Sequence, residues 1–180
     1  MSRVVTITLG AVTMLVVSII VGCGLFVSEQ PPIAPTTPGE SDLNLIFKYG
    51  VGARNELNTF NGTYTKDMIL DPPITVNLSL SHEELGGIYQ KMIEIDFLNY
   101  PDRFSVSVPF GGPVVNMTPH SSYYFRVEYD SKVKELWWND DMINRDEKAE
   151  KLRELIRLII DIIESKEDYR ELPSPRGGYI

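Results

Sequence analysis

Tyr123-Tyr124-Phe125-Arg126-Val127-Glu128-Tyr129-Asp130-Ser131-Lys132-Val133-Lys134-Glu135-Leu136-Trp137-Trp138 is the stretch whose reading decides the fold. Tyr123, Phe125, Val127 and Tyr129 alternate with Tyr124, Arg126, Glu128 and Asp130. That period of two is a strand with one apolar and one polar side. Asp130-Ser131-Lys132 supplies turn residues, and Val133 to Trp138 returns as a second strand. Neighbouring residues on a strand face opposite sides, so only one of the two tryptophans belongs to the core. Leu136 shares a side with Trp138, and Glu135 shares one with Trp137. Trp137 is therefore the expected exposed aromatic.

Downstream, residues 145–166 carry Leu152, Leu155, Ile156, Ile159, Ile160, Ile162 and Ile163. This is a wide apolar stripe at helical spacing, broader than a coiled-coil seam, and it predicts a helix packed on the sheet. The tail after it, Leu172 to Ile180, reads as extended. Upstream, Pro109-Phe110-Gly111-Gly112-Pro113 lies in a loop-like region spanning residues 101–121. Before that region, Ser81-His82-Glu83-Glu84 forms a capping box, with Ser81 to accept from the third helical amide and Glu84 to reach back. The helix it opens is expected to reach about Leu98, with Leu85, Ile88, Met92 and Ile95 on one face. Gly86-Gly87 in its early turns suggests close approach to the sheet, since glycine there costs about 1 kcal/mol relative to alanine.

Ile74, Val76, Leu78 and Leu80 alternate with Thr75, Asn77 and Ser79, which predicts a strand after Pro72-Pro73. Two registers compete between Gly50 and Met68. One turns at residues 50–54 and continues as a single long strand bulged at Gly62; the other turns again at Asn61-Gly62. The first is preferred. Leu43 to Tyr49 is the first strand. The element order predicts an α+β layer fold: an antiparallel sheet of about four to six strands with two helices packed on one face.

The N-terminus belongs to another class of segment. Arg3 precedes an uncharged apolar run from Val4 to Val21, and no further basic residue follows until Lys48. Such a run is a secretory signal or an anchor, and takes no part in the fold. It closes on Ile20-Val21-Gly22-Cys23, whose Cys is the only one in the chain. This stretch resembles the lipobox of bacterial lipoproteins. The resemblance implies that the Cys23 thiol receives diacylglycerol, that cleavage occurs just before it, and that two or three acyl chains then hold the protein on a bilayer. Domain limits follow: 1–22 signal peptide, 23–42 lipidated cysteine and tether, 43–180 a single α+β domain. The tether contains Pro31, Pro32, Pro35 and Pro38, a semi-rigid spacer. Gly24 in place of Asp leaves out a known inner-membrane retention signal, so either the cell membrane or the outer membrane is compatible. The domain faces the periplasm or the exterior. Beyond the leader, the order sheet, Ser81-x-Glu83-Glu84-Leu85 helix, sheet, C-terminal helix resembles bacterial lipoprotein domains without an assigned activity, and implies none.

Composition narrows the partners. Hydrophobic content is 43%, charged content 23% and net charge −8. Loss of Arg3 with the leader makes the exported part more acidic still, which disfavours nucleic acid and anionic lipid surfaces. With Cys23 lipidated, neither disulfides nor thiol chemistry remain. His82 and His120 are the only histidines, too few for a zinc site without convergent carboxylates. Asn139-Asp140-Asp141, with Asn144 and Asp146, has the oxygen density of a calcium site but lacks the spacing of an EF-hand loop; a turn and helix N-terminus, where Asp is favoured, is the preferred reading. No metal and no cofactor is expected. Two functions of different class remain. The preferred one is a non-enzymatic module that binds a protein or envelope component through Trp137 near Gly111 and Gly112. The other is a hydrolase or transferase using Asp96, Asp140 or Asp141.

Overall fold

The computed structural model of the protein describes residues 43–106, 116–143 and 146–180. Strands β1 (Asn44–Tyr49), β2 (Asn55–Asn58), β3 (Thr63–Met68) and β4 (Asp71–Asn77) come first, then helix α1 (His82–Glu94) and a 3-10 turn (Phe97–Asn99). Strands β5 (Arg103–Phe104), β6 (Asn116–Tyr129) and β7 (Lys132–Met142) follow, and helices α2 (Glu147–Ser165) and α3 (Glu167–Arg170) end the order. The strands form one seven-stranded sheet in the order β4-β3-β2-β1-β6-β7-β5. Every neighbouring pair is antiparallel except β5 and β7, which run parallel. The fold is thus mixed α and β, with more strands than the four to six expected. Among the described residues no helix is long and apolar enough to cross a membrane.

Two local features account for the extra strands. The chain turns between β2 and β3, so the preferred single bulged strand is incorrect and the second turn at Asn61-Gly62 is the one adopted. Gly62 sits at φ +62, a conformation side chains disfavour. Its carbonyl accepts from Leu78 N–H at 2.8 Å, and the Asn58 side chain accepts from Asn61 N–H at 3.3 Å. Secondly, β5 and the first part of β6 arise from the region read as loop, placing His120 on a strand. The β6–β7 connection is tight, with Asp130 and Ser131 both at positive φ. This is the backbone of a primed hairpin turn, whose twist matches that of the strands it joins.

The core joins sheet and helices in one cluster. Leu45, Phe47, Leu57, Tyr64, Phe125, Leu136 and Trp138 are buried from the sheet; Ile88 and Met92 from α1; Leu152, Leu155, Ile159 and Ile163 from α2. Fully burying side chains of this size stabilises by about 1.5–3 kcal/mol each before chain entropy is counted. The Pro72 and Pro73 rings stand exposed on β4, an edge strand where a missing N–H costs no ladder bond.

Helix α1 begins with the expected capping box. Ser81 Oγ accepts from Glu84 N–H at 3.2 Å, and Glu84 Oε2 accepts from Ser81 N–H at 2.7 Å. It ends at Glu94, short of Leu98, because Asp96 adopts a left-handed conformation. Phe97 explains the break: nine residues from Ile88 is half a turn out of phase in a helix. Leaving the helix lets Phe97 reach the core, fully buried and 5.3 Å from the Phe125 ring. Of the two glycines, Gly86 is buried, but a methyl on Gly87 would meet nothing within 4 Å. Close packing therefore does not account for Gly87. Helix α2 starts at Asp146, whose side chain accepts from Ala149 N–H at 2.9 Å. The tail returns to the β3–β4 end of the sheet, where Arg176 pairs with Asp71 and the Tyr179 hydroxyl meets Asp67.

Candidate functional site

Trp137 and Trp138 mark two sides of β7. Trp138 is 2% exposed and Trp137 44% exposed, as the alternation of the strand requires. Cross-strand pairing places Trp137 in a row that crosses the sheet. Arg103 on β5 lies opposite Trp137, Tyr124 on β6 lies on its other side, and Lys48 and Glu56 continue the row onto β1 and β2. The Tyr124 and Trp137 ring centroids are 4.3 Å apart, so the indole is braced on one side by a phenol. Lys48 and Glu56 neutralise one another across the row at 2.9 Å.

A cleft opens beside this row because β5 is short. It pairs with β7 only at Trp137 and Trp138, anchored by Trp137 N–H donating to Asp102 O at 2.7 Å. The described pairing of β5 with β7 stops at Phe104, while β7 continues to Met142. The resulting cleft is about 340 Å³, walled by Arg103, Phe104, Trp137, Trp138, Asn139 and Asp141. Phe104 and Trp138 meet edge to face at 5.4 Å, and Tyr123 packs 5.5 Å from Trp138 on its other side. Burial pushes the Tyr123 phenol above its ordinary range, so it stays neutral.

Asp140 supports the wall rather than lining this cleft's face. Its carboxylate accepts from Arg153 Nε at 2.8 Å and from a terminal guanidinium nitrogen at 2.5 Å, a two-point pair between largely buried groups. The same guanidinium lies 5.2 Å from the Trp138 ring and also meets Glu150 at 2.7 Å. Asp141, the next residue, lines the cleft instead of pairing with Arg153, although both acids border a small adjoining cavity with Ser105 and Val106. The two adjacent acids are thereby separated in role. Asp96 is elsewhere, on a smaller cleft of about 190 Å³ with Asn99, Tyr100, Lys148 and Lys151.

The acidic run therefore resolves into individual duties: Asp140 pairs with Arg153, Asp146 caps α2, and Asp141 faces solvent in the cleft. Among the described residues no three His, Cys, Asp or Glu side chains gather as a metal site would need. His82 is exposed in the first turn of α1. Gly111 and Gly112 lie outside the described residues, as do Cys23 and Asn144. Arg103 and Phe104 in the cleft wall, and Tyr124 bracing Trp137, are residues that sequence reasoning missed. Tyr124 was visible as the aromatic on the polar side of its strand; Arg103 gave no signal, because its neighbour is remote in the chain.

A second polar group sits within the core. The Tyr49 and Tyr64 hydroxyls meet at 2.7 Å, and Tyr64 also donates to Asn55 at 3.4 Å. Burial pushes the Tyr49 phenol up to about 12, partly offset by its hydrogen bond to Tyr64, and pushes Tyr64 further in the same direction. Both stay protonated through neutral pH, and they serve the core rather than a surface site.

No protein-family model, no curated protein and no solved structure matches this chain, so the cleft and its residues are what function must be read from.

Proposed function

We propose that this chain is a lipid-anchored, extracytoplasmic binding module without catalytic activity, held on its membrane by acyl chains on Cys23 and contacting its partner through the Trp137 side of the sheet. The lipobox-like Ile20-Val21-Gly22-Cys23 supports the address, and the proline-rich stretch after it supports a domain standing off the bilayer. The layered arrangement belongs to the same reading. With both helices over the Trp138 side, the Trp137 side is left for a partner, and the joining of α1, α2 and Trp138 in one buried cluster supports it.

The observation that carries the binding role is the braced, half-exposed indole of Trp137 on the rim of a cleft. A large apolar ring held in water needs a reason, and tryptophan and arginine are the residues that most often anchor interfaces. Against a carboxylate-dependent hydrolase stands the commitment of Asp140 to the Arg153 guanidinium. The test is retention of an envelope component by the full chain from native membranes, lost in Trp137→Ala. Equal retention by the variant overturns the role of this surface. For the anchor, Cys23→Ala is expected to accumulate as precursor and to take up no labelled lipid; continued labelling overturns it.

A further inference from the structure

We infer that the cleft beside Trp137 takes a neutral sugar ring, an inference that rests on the binding-module reading and names its ligand class. At about 340 Å³ the cleft is at the lower end of small-molecule sites, the size of a ring or two rather than of a folded partner. Its walls are of two kinds. Trp137 offers an indole already braced by Tyr124 at 4.3 Å, so little freedom is lost when a ligand lies against it. Phe104 and Trp138, locked edge to face, close the other side.

The polar rim chooses among ligands. Arg103 can only donate hydrogen bonds, Asp141 can only accept them, and Asn139 does both. Neither Arg103 nor Asp141 forms an ion pair among the described residues. An anionic ligand must sit beside the Asp141 carboxylate, and a cationic one beside the Arg103 guanidinium. A flat apolar ligand leaves all three polar groups desolvated without partners, which costs more than the ring contact returns. A pyranose avoids each conflict. Its face of C–H groups lies on the indole, and every hydroxyl on its edge both donates and accepts, matching a donor, an acceptor and an amide spaced around one rim. The other occupant to weigh is an extended peptide adding to the β7 edge that is unpaired among the described residues, which would depend on main-chain bonds to residues 139–141 rather than on these side chains.

The experiment uses the full lipidated chain in a detergent without a sugar headgroup. Neutral di- to tetrasaccharides of hexoses and N-acetylhexosamines are titrated in, and tryptophan fluorescence and heat are followed. One or more is expected to saturate, with the Kd raised at least about tenfold by Trp137→Ala, partly restored by Trp137→Phe, and raised about threefold or more by Arg103→Ala or Asp141→Ala at unchanged melting temperature. Absence of any saturable saccharide binding overturns the inference, as does binding indifferent to Trp137→Ala. Saturation by an unstructured peptide that displaces the saccharide without sensitivity to Arg103→Ala or Asp141→Ala overturns it in favour of strand addition. Failure here is distinct from failure of the binding role itself: a Trp137-dependent partner that survives glycosidase treatment of the membranes removes the sugar and keeps the module.

Discussion

Trp137 and Trp138 share a peptide bond and border one cleft, yet they face opposite sides of β7. One is braced by a tyrosine at the edge of a cleft; the other is sealed among Phe104, Tyr123 and the Arg153 guanidinium. The contrast extends along both sides of the sheet. On the Trp138 side stand Leu45, Phe47, Leu57, Tyr64, Phe125 and Leu136, all buried. On the Trp137 side stand Arg103, Tyr124, Lys48 and Glu56. One side is spent on stability, and the other is free to be chemically particular.

The largest expected difference tests that division directly. Trp138→Ala should cost about 3–5 kcal/mol of unfolding free energy, and Trp137→Ala less than about 1 kcal/mol, measured by denaturant midpoint at constant slope. Equal costs would break the contrast. Next is the pair under the cleft wall. Asp140→Asn should cost about 2 kcal/mol, because it leaves the largely buried Arg153 with a weaker partner. A double-mutant cycle with Arg153→Met should recover part of that loss if the two act as a unit.

The buried side should also reveal itself in alkali. Tyr49 and Tyr64 are held neutral in the folded protein while the unfolded chain ionises tyrosine near about pH 10, so above that pH the unfolded state binds fewer protons. Stability is then fully present below about pH 10 and is lost as pH rises toward about 12, the folded value for Tyr49. The slope is up to about 1.4 kcal/mol per pH unit for each proton released first by the unfolded chain. Tyr64→Phe should flatten the fall in melting temperature across that window; an unchanged slope would place the effect elsewhere. The smallest effect lies on α1, which is two-sided in the same way. Gly87→Ala should gain about 0.5–1 kcal/mol, since the new methyl enters open space. A loss at Gly87 would show that the outer side of α1 is more crowded than its geometry indicates.

The hairpin of β6 and β7 was legible because its information is local. Alternation over six or seven residues assigns each side chain to a face, and the turn residues Asp130 and Ser131 say where the chain reverses. The cap at Ser81 was legible for the same reason, and the acidic run 139–146 pointed to a helix start without naming its cap. What failed was non-local or nearly balanced. Two registers satisfied the apolar pattern around Gly62, and the one adopted is selected by bonds to Asn58 and to Leu78, just past the end of β4. The α1 stripe ran smoothly to Ile95, yet the demand of Phe97 for the core ended the helix early.

The candidate site divides along the same line. That Trp137 is exposed follows from the period of a strand and needs no neighbour, so residue order alone settles it. That it faces a cleft does not. The cleft lies where a two-residue strand pairs in parallel with β7 at Trp137 and Trp138, setting Arg103 beside Trp137 with Asn139 and Asp141 farther along β7. Such pairing depends on which remote segments gain most by meeting after the chain has closed a long loop, a balance summed over the whole core. The periodicity of one segment carries the direction of its side chains; only the folded chain supplies what they face.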